Sequence, residues 1–418
     1  MRIAPPGWPP DARTEPAALI KEARRRQRRR WLAAGAAVAT VLAGVAGVAA
    51  GVTGHRPGRP GPGGHRWSQG AAGQTAAPAP IPRSIGTTLL MWPAGLGQCC
   101  GPVAVDDLSA GRLTQSRQPA IDAGDFQPLL AQAGRWLVYV GDGAVTAIAD
   151  DLTGRPRVLG PTPFFAPAAA PGRVWLFQVQ HGTPGPVRAW TAALSGGPPS
   201  RPVTLPAGAY LPAVRGTDAG LLLQVPQGLA LWNPGRAPRI LPSSPGFADG
   251  FDATARLVAY GTGCAAQATA PDAPQDPSAG YDTCRVLRVL DVVTGRLISF
   301  PAPPGTAGWV PGGFNLVSAI SPDDQMIAAY AAIRPQGAGQ VRLYVMRIAG
   351  PSRSAIPVPS SAAYLFARTA WSANDTWLLY QGPGGHLRAY QVTSGQTRAS
   401  GTPCCQYTVM AAVPSRSG

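Results

Sequence analysis

The segment Leu290-Asp291-Val292-Val293-Thr294-Gly295-Arg296-Leu297 reads as one strand ending, a tight turn leaving through glycine, and a second strand beginning. The figure returns as Val105-Asp106-Asp107-Leu108-Ser109-Ala110-Gly111-Arg112 and as Ile148-Ala149-Asp150-Asp151-Leu152-Thr153-Gly154-Arg155. Shorter copies are Ala193-Leu194-Ser195-Gly196-Gly197, Leu231-Trp232-Asn233-Pro234-Gly235, Arg347-Ile348-Ala349-Gly350 and Gln391-Val392-Thr393-Ser394-Gly395. Each unit also holds a run of β-formers: residues 88–92, 136–140, 174–179, 221–225, 257–260, 326–330 and 377–380. Six of these runs follow another short apolar strand, at 128–132, 164–169, 209–214, 246–251, 316–320 and 365–371.

The unit is therefore four short strands joined by Gly/Pro turns. It recurs roughly every 47 residues, close to the length of a propeller blade. Such blades, packed face to face around a channel, make an all-β, seven-bladed β-propeller, with six or eight blades as the alternative counts. The first unit lacks its first strand. Residues 407–413 have that strand's character and follow the seventh unit, so they are expected to complete the blade opened by 88–92. Pairing strands from both ends of the body shuts the ring and removes the edges an open array would expose.

Composition points the same way. Lysine occurs once (Lys21) and glutamate twice (Glu15 and Glu22), so the body lacks two common surface helix formers. The 52 glycines and 47 prolines supply turns, without the three-residue period of collagen. An apolar content of 45% is too high for a disordered chain.

The net charge of +16 is uneven. Residues 1–30 hold nine bases and three acids, with Arg24, Arg25, Arg26, Arg28, Arg29 and Arg30 in one run. Residues 31–53 carry no charge. As a helix they would span roughly 34 Å, enough for a hydrocarbon core of about 30 Å. The preceding positive charge places the N-terminus in the cytoplasm, with Trp31 at the interface. The expected organisation is a basic cytoplasmic tail (1–30), a transmembrane signal-anchor helix (31–53), a Pro/Gly/Ala-rich linker (54–83) and an extracytoplasmic propeller (84–418). The alternative is a cleaved export signal and a secreted body, since Arg28-Arg29-Arg30-Trp31-Leu32 is a loose twin-arginine pattern. In this context the basic run is expected to meet the lipid bilayer, not nucleic acid.

Six cysteines in an exported chain suggest disulfides. Cys264 and Cys284 flank a Pro/Asp/Ala-rich excursion in the fifth unit and are expected to staple it. Cys99 and Cys100 lie between the second and third strands of the first unit, and Cys404 and Cys405 just before its closing strand. One or two bridges between these pairs would lock the ring. Bridges within each pair or a four-thiolate metal site are the alternatives, but Cys-x-x-Cys spacing is absent.

Catalytic motifs are missing: there is no Gly-x-Ser-x-Gly, His-Glu-x-x-His or P-loop. Gly261-Thr262-Gly263-Cys264-Ala265-Ala266 imitates a dinucleotide turn but leads into a Pro-rich stretch without a helix. The Asp106-Asp107, Asp150-Asp151 and Asp323-Asp324 pairs read as acceptors for turn amides. His181, Arg334 and His386 fall in loops that could line a binding face. No catalytic residue, metal or cofactor is expected, and no motif decides whether the protein is an enzyme.

Ala319-Ile320-Ser321-Pro322-Asp323-Asp324-Gln325-Met326 and Ala370-Trp371-Ser372-Ala373-Asn374-Asp375-Thr376-Trp377 resemble the Ser-Pro-Asp-Gly turn of TolB-like and WD40-like propeller repeats. The resemblance covers residues 84–414 and is sharp in those two units. The Trp-Asp dipeptide of true WD40 repeats is absent. The composition resembles that of proteins exported by high-GC actinobacteria. The resemblance implies a binding or scaffold module. Its expected partner is a protein or cell-envelope component on the disulfide-bearing face. A glycan-active propeller hydrolase or lyase, and a membrane-linked signalling protein, are the alternatives.

Overall fold

Sheets alone build the body, because its apolar runs are too short for helices and are punctuated by turn residues. The computed structural model describes residues 79–93, 100–109, 112–122, 130–133, 135–141, 143–150, 154–162, 164–178, 186–243, 250–265, 283–311, 319–333, 341–350, 354–359, 361, 369–382, 386–399 and 407–414. The expected tail with Arg24, Arg25, Arg26, Arg28, Arg29, Arg30 and Trp31, the apolar segment 31–53 and most of the linker lie outside these residues. Among the described residues no helix is long and apolar enough to cross a membrane. One 3-10 turn, Arg83–Ile85, precedes the first strand.

The strands are numbered in chain order. β1 (Thr87–Pro93), β2 (Cys100–Asp107) and β3 (Arg112–Asp122) run side by side, and the last strand, β28 (Tyr407–Pro414), completes their sheet on the free side of β1. Thr88 faces Val413 and Leu90 faces Ala411 across that seam, the closure expected from 88–92 and 407–413. The next sheet is β4 (Leu130–Ala133), β5 (Trp136–Gly141), β6 (Ala144–Ala149) and β7 (Arg157–Gly160). It is followed by β8 (Phe164–Pro167), β9 (Arg173–Gln178), β10 (Arg188–Ala193) and β11 (Val203–Thr204). Then come β12 (Tyr210–Thr217), β13 (Gly220–Val225), β14 (Gly228–Trp232) and β15 (Arg239–Ile240).

The fifth sheet has eight strands: β16 (Gly250–Ala253), β17 (Leu257–Ala265), β18 (Thr283–Asp291), β19 (Leu297–Pro301), β20 (Thr306–Val310), β21 (Met326–Ile333), β22 (Val341–Arg347) and β23 (Ile356–Pro357). A single residue pair, Cys284 with Trp309, joins its two four-stranded halves. The sixth is β24 (Ala370–Trp371), β25 (Trp377–Gln381), β26 (Leu387–Gln391) and β27 (Thr397–Ala399). Every strand pairing is antiparallel.

Side-chain alternation holds the sheets together. On β13, Leu221, Leu223 and Val225 pack with Phe177 and Ala189 of the preceding sheet, while Leu222 packs with Val258 and Tyr260 of the following one. On β17, Leu257 and Ala259 turn forward to Ile327 and Ala329. On β25, Leu378 and Tyr380 pack back on Leu343 and Val345, and Trp377 and Leu379 forward on Ile85 and Leu89 of the first sheet. The period of two thus points alternate residues at the two neighbours. This explains why the second strands read as unbroken apolar runs: both faces are buried. The last contact returns the succession of sheets to its start. The arrangement is a β-propeller.

Turn hydrogen bonds repeat with the units. The residue just after the third strand donates its amide to the carbonyl just before or opening the second, as in Leu108 to Thr87, Asp150 to Arg135, Val292 to Arg256, Ile348 to Gln325 and Val392 to Thr376. Ser321 and Ser372 bridge their turns identically: the Oγ accepts the amides of Met326 (2.9 Å) and Trp377 (3.0 Å). The Gly position of the Ser-Pro-Asp-Gly pattern is filled by Asp324 and Asp375, at φ of 60 and 59°.

One expected strand lies mostly outside the described residues, and its described end pairs as expected. The inner strand placed at 316–320 is preceded by β20, which pairs with β21 through Thr306 and Ile333. Ile320 bridges to Ile327 farther along the same partner, so two segments share one strand edge. The Gly261-Thr262-Gly263 stretch is not a turn but runs inside β17.

Candidate functional site

The inner strands deliver charge to one set of ends. Arg215 sits near the end of β12, and Asp252 on β16 of the following unit. Asp323 and Asp324 lie in the turn before β21, and Asp375 in the turn before β25. Four consecutive four-stranded units each contribute, two from the end of their first strand and two from the turn before their second.

Main-chain hydrogen bonds fix the acids. Asp252 Oδ2 accepts the amide of Ile320 at 2.9 Å, across to the next half-sheet, and its Oδ1 accepts the amide of Ala253 at 2.8 Å. Asp375 Oδ1 accepts the amide of Asp323 at 3.3 Å. Glycine fixes the base: a Cβ on Gly216 would lie 2.9 Å from Ala168 Cα and Ala169 N. The backbone beside Arg215 therefore approaches the preceding sheet as closely as only glycine allows.

Desolvation dominates the electrostatics. Burial pushes the Asp252 carboxyl up to about 6, against the Ile320 amide, Arg215 and further amides that favour the charged form. Burial pushes the Arg215 guanidinium down, opposed by Asp252 and Asp324. Asp324 is raised by burial, then held back by Thr254, Arg256 and Arg215. Asp375 is raised by burial and by the Asp323 and Asp324 charges. Arg215 and Asp252 are each partly buried. Arg215 Nε and Asp324 Oδ1 are buried without a hydrogen-bond partner among the described residues.

Asp291, in the same unit as Asp252, has the opposite setting. Burial would raise it, but Arg256 (Nε at 2.8 Å, Nη2 at 2.7 Å) and the amides of Val293 and Thr294 (3.0 Å each) leave it below its ordinary value. It does in its turn what was expected of the Asp106-Asp107 and Asp150-Asp151 pairs in the matching turns. Asp107 likewise accepts the Ser109 amide at 3.0 Å.

Cys264 and Cys284 form a disulfide, as expected from their flanking positions. They face each other directly on β17 and β18 rather than in the loop itself. A Cβ at Gly261 would strike the Cys284 sulfur, so the bridge needs that glycine. Asp252 lies level with Ala259, five residues before Cys264 on β17, and the charged cluster and the disulfide are therefore roughly 17 Å apart along the strand. His386 is exposed in the β25–β26 hairpin, and its carbonyl accepts the Gly382 amide at 2.8 Å. Cys100 opens β2 opposite Asp122. Cys99, Cys404, Cys405, His181 and Arg334 lie outside the described residues, and with them the expected ring-locking bridge. Among the described residues no three His, Cys, Asp or Glu are arranged to hold a metal ion.

Arg215 and Asp252 were not singled out from the sequence. The strands read at 209–214 and 246–251 stop one residue short of each. The available signal was a charge at the end of each of two successive apolar inner strands.

No protein-family model and no curated protein matches the chain. Solved structures similar to it include apo AztD from Citrobacter koseri, at 13% identity and a TM-score of 0.40, covering 78% of this chain and 98% of that one. The β-propeller domain of Cps50 (Swd1) from Myceliophteria thermophila is 13% identical, with a TM-score of 0.37, 66% of this chain and 87% of that one. Dipeptidyl peptidase 4 from Porphyromonas gingivalis is 9% identical, with a TM-score of 0.42 over 76% of this chain. The chain spans 50% of that peptidase's length. At these identities and superpositions the likeness bears on no residue's role.

Proposed function

We propose that the protein is a membrane-anchored, extracytoplasmic binding module built on a seven-bladed propeller. The eight-stranded sheet counts as two blades, because one residue pair joins its halves. The basic run before residues 31–53 supports the anchor, and the Cys264–Cys284 disulfide suits an oxidising compartment. The observation that carries the binding role is the Arg215–Asp252–Asp324 group. Among the described residues Arg215 Nε and Asp324 Oδ1 are buried without a hydrogen-bond partner, though the Thr254 side chain favours the charged form of Asp324, and burial opposes the charge on Asp252. Groups held against the preference of the fold mark functional sites.

The test compares the full chain with an Arg215→Ala/Asp324→Asn double variant, both in detergent, for retention of purified cell-envelope polymer and peptide fractions. Retention by the parent and loss in the variant supports the reading. Equal retention by both contradicts the site, and no retention by either contradicts the module.

The raised carboxyls of Asp252 and Asp324 favour one further reading, a glycan-active enzyme using them for proton transfer. Against it, both oxygens of Asp252 already accept main-chain amides. Hydrolysis of an envelope glycan that is lost in Asp252→Asn would decide for the enzyme.

A further inference from the structure

The body has no lysine, so a scattered exposed arginine there is ordinary solvation; its arginines, however, are not evenly spread. Residues 152–248 hold eight arginines and one aspartate, whereas residues 84–151 hold three arginines and seven aspartates.

The fold gathers five of those eight at one end of three successive sheets. Arg155 and Arg157 lie at the turn into β7, Arg201 in the turn before β11, and Arg236 and Arg239 at the turn into β15, and all five are exposed. These turns join the third strand of each sheet to the fourth. Neighbouring turns touch. A Cβ on Gly196, in the turn before β11, would strike the Arg157 guanidinium. Arg239 Nη2 reaches the Val292 carbonyl, in the corresponding turn of the next sheet, at 3.5 Å. Arg296 is exposed in that turn as well. Among the described residues none of these six arginines is ion-paired, unlike Arg256, which Asp291 holds.

A rim of guanidiniums without acids suits a surface dense in phosphate. The tether says which surface, on the reading that the chain is membrane-anchored. Residues 54–78, 25 in number, separate the anchor from Ala79 and reach at most about 90 Å. Ala79 is pinned to the last sheet: its carbonyl accepts the Ala399 amide at 3.0 Å, and Ile81 donates to the Ala399 carbonyl at 3.1 Å. The bilayer is thereby kept at high effective concentration, where weak docking suffices.

We infer that the arginine rim docks on anionic lipid headgroups of the membrane that holds the chain. Lipid phosphates accept from the guanidiniums, and each arginine within a Debye length of them strengthens docking roughly fivefold. Asp218, Asp323 and Asp375 lie in turns between first and second strands, which share this end but sit toward the inner strands. A flat approach would press them on the same negative surface, so the body tilts onto its outer rim and leaves the inner turns open to a ligand.

The experiment is hydrogen exchange of the full chain in nanodiscs, made of phosphatidylcholine alone or with added phosphatidylglycerol, at low salt. Co-elution with the discs reports the anchor separately. The expected result is exchange slowed roughly threefold or more at 150–157, 194–202 and 233–239 in the anionic discs only, with no change at the opposite hairpin 226–227. Salt of about 1 M, where the Debye length is about 3 Å, should abolish the slowing. So should the joint variant Arg155→Gln/Arg157→Gln/Arg236→Gln/Arg239→Gln, which changes only exposed side chains and should keep the thermal transition. Slowing in both lipids alike, slowing that survives the variant, slowing at 226–227 instead, or none at all would overturn the inference while the anchor stands. Slowing only after inorganic polyphosphate is added would overturn the lipid in favour of a soluble polyanion. A chain that does not co-elute with the discs would overturn the anchoring reading and this inference with it.

Discussion

Asp291 and Asp252 lie in the same four-stranded unit, yet their surroundings treat them oppositely. Asp291 takes two turn amides and the half-exposed Arg256, and folding favours its charge. Asp252 accepts two amides with Arg215 nearby, and burial still favours its neutral form. The first is a carboxylate the fold needs. The second is one the fold tolerates, and groups of that kind are where function opposes stability. Substitution should therefore separate them by sign.

The largest effect is expected where the two regions meet the backbone. Gly216→Val would drive side-chain atoms into the fixed main chain of Ala168 and Ala169 and displace Arg215. A loss of about 3 kcal/mol or more in urea unfolding is expected. A change under 0.5 kcal/mol would deny the close approach. Next, Asp252→Asn at pH 8 removes a disfavoured charge and keeps one acceptor for Ile320. The expected outcome is a gain on the order of 1–2 kcal/mol in unfolding free energy, with envelope-fraction retention lowered. A loss of stability would put Asp252 in the same class as Asp291.

Asp291→Ala leaves the Val293 and Thr294 amides without their acceptor. A loss of about 1–2 kcal/mol is expected at pH 7. Asp291 is held below its ordinary value, so this contribution is present above the unfolded value, near 3.8, and is lost as pH falls through the lowered one. Unfolding curves at pH 7 and pH 2.5 check both the size and the direction. The smallest effect is Arg256→Ala, whose partner keeps its amides; for so exposed an arginine the urea midpoint should move less than in Asp291→Ala.

Much of this was readable beforehand, for identifiable reasons. The closing strand at 407–413 could be found because the first unit lacked a strand and the last had one to spare. Asp107 could be read as a turn acceptor because its turn recurs with the same spacing, and Asp291 fills the matching position. Cys264 and Cys284 could be paired because they bracket one excursion. Arg215 and Asp252 could not, since their meaning depends on which sheets adjoin, and no local spacing encodes an electrostatic interaction between charges 37 residues apart. Asp323 and Asp324 were read as turn residues, which Asp323 is: it accepts the Gln325 amide at 3.0 Å. Asp324 feels the Arg215 charge only because the units that carry them adjoin in the fold.

The most direct test is the pH dependence of unfolding free energy in the parent and in Asp252→Asn, compared as a difference. A folded value near 6 against 3.8 unfolded means the parent binds the extra proton only when folded, so its stability should rise as pH falls from 8 toward 4. Asp252→Asn lacks that proton. The account predicts that the difference between the two proteins shifts toward the parent by on the order of 2 kcal/mol over this range, most of it between pH 6 and pH 4. Parallel curves, or a shift toward the variant at low pH, would contradict it: Asp252 would then be an ordinary structural carboxylate, and the Arg215–Asp252–Asp324 group would lose its claim to be the binding site.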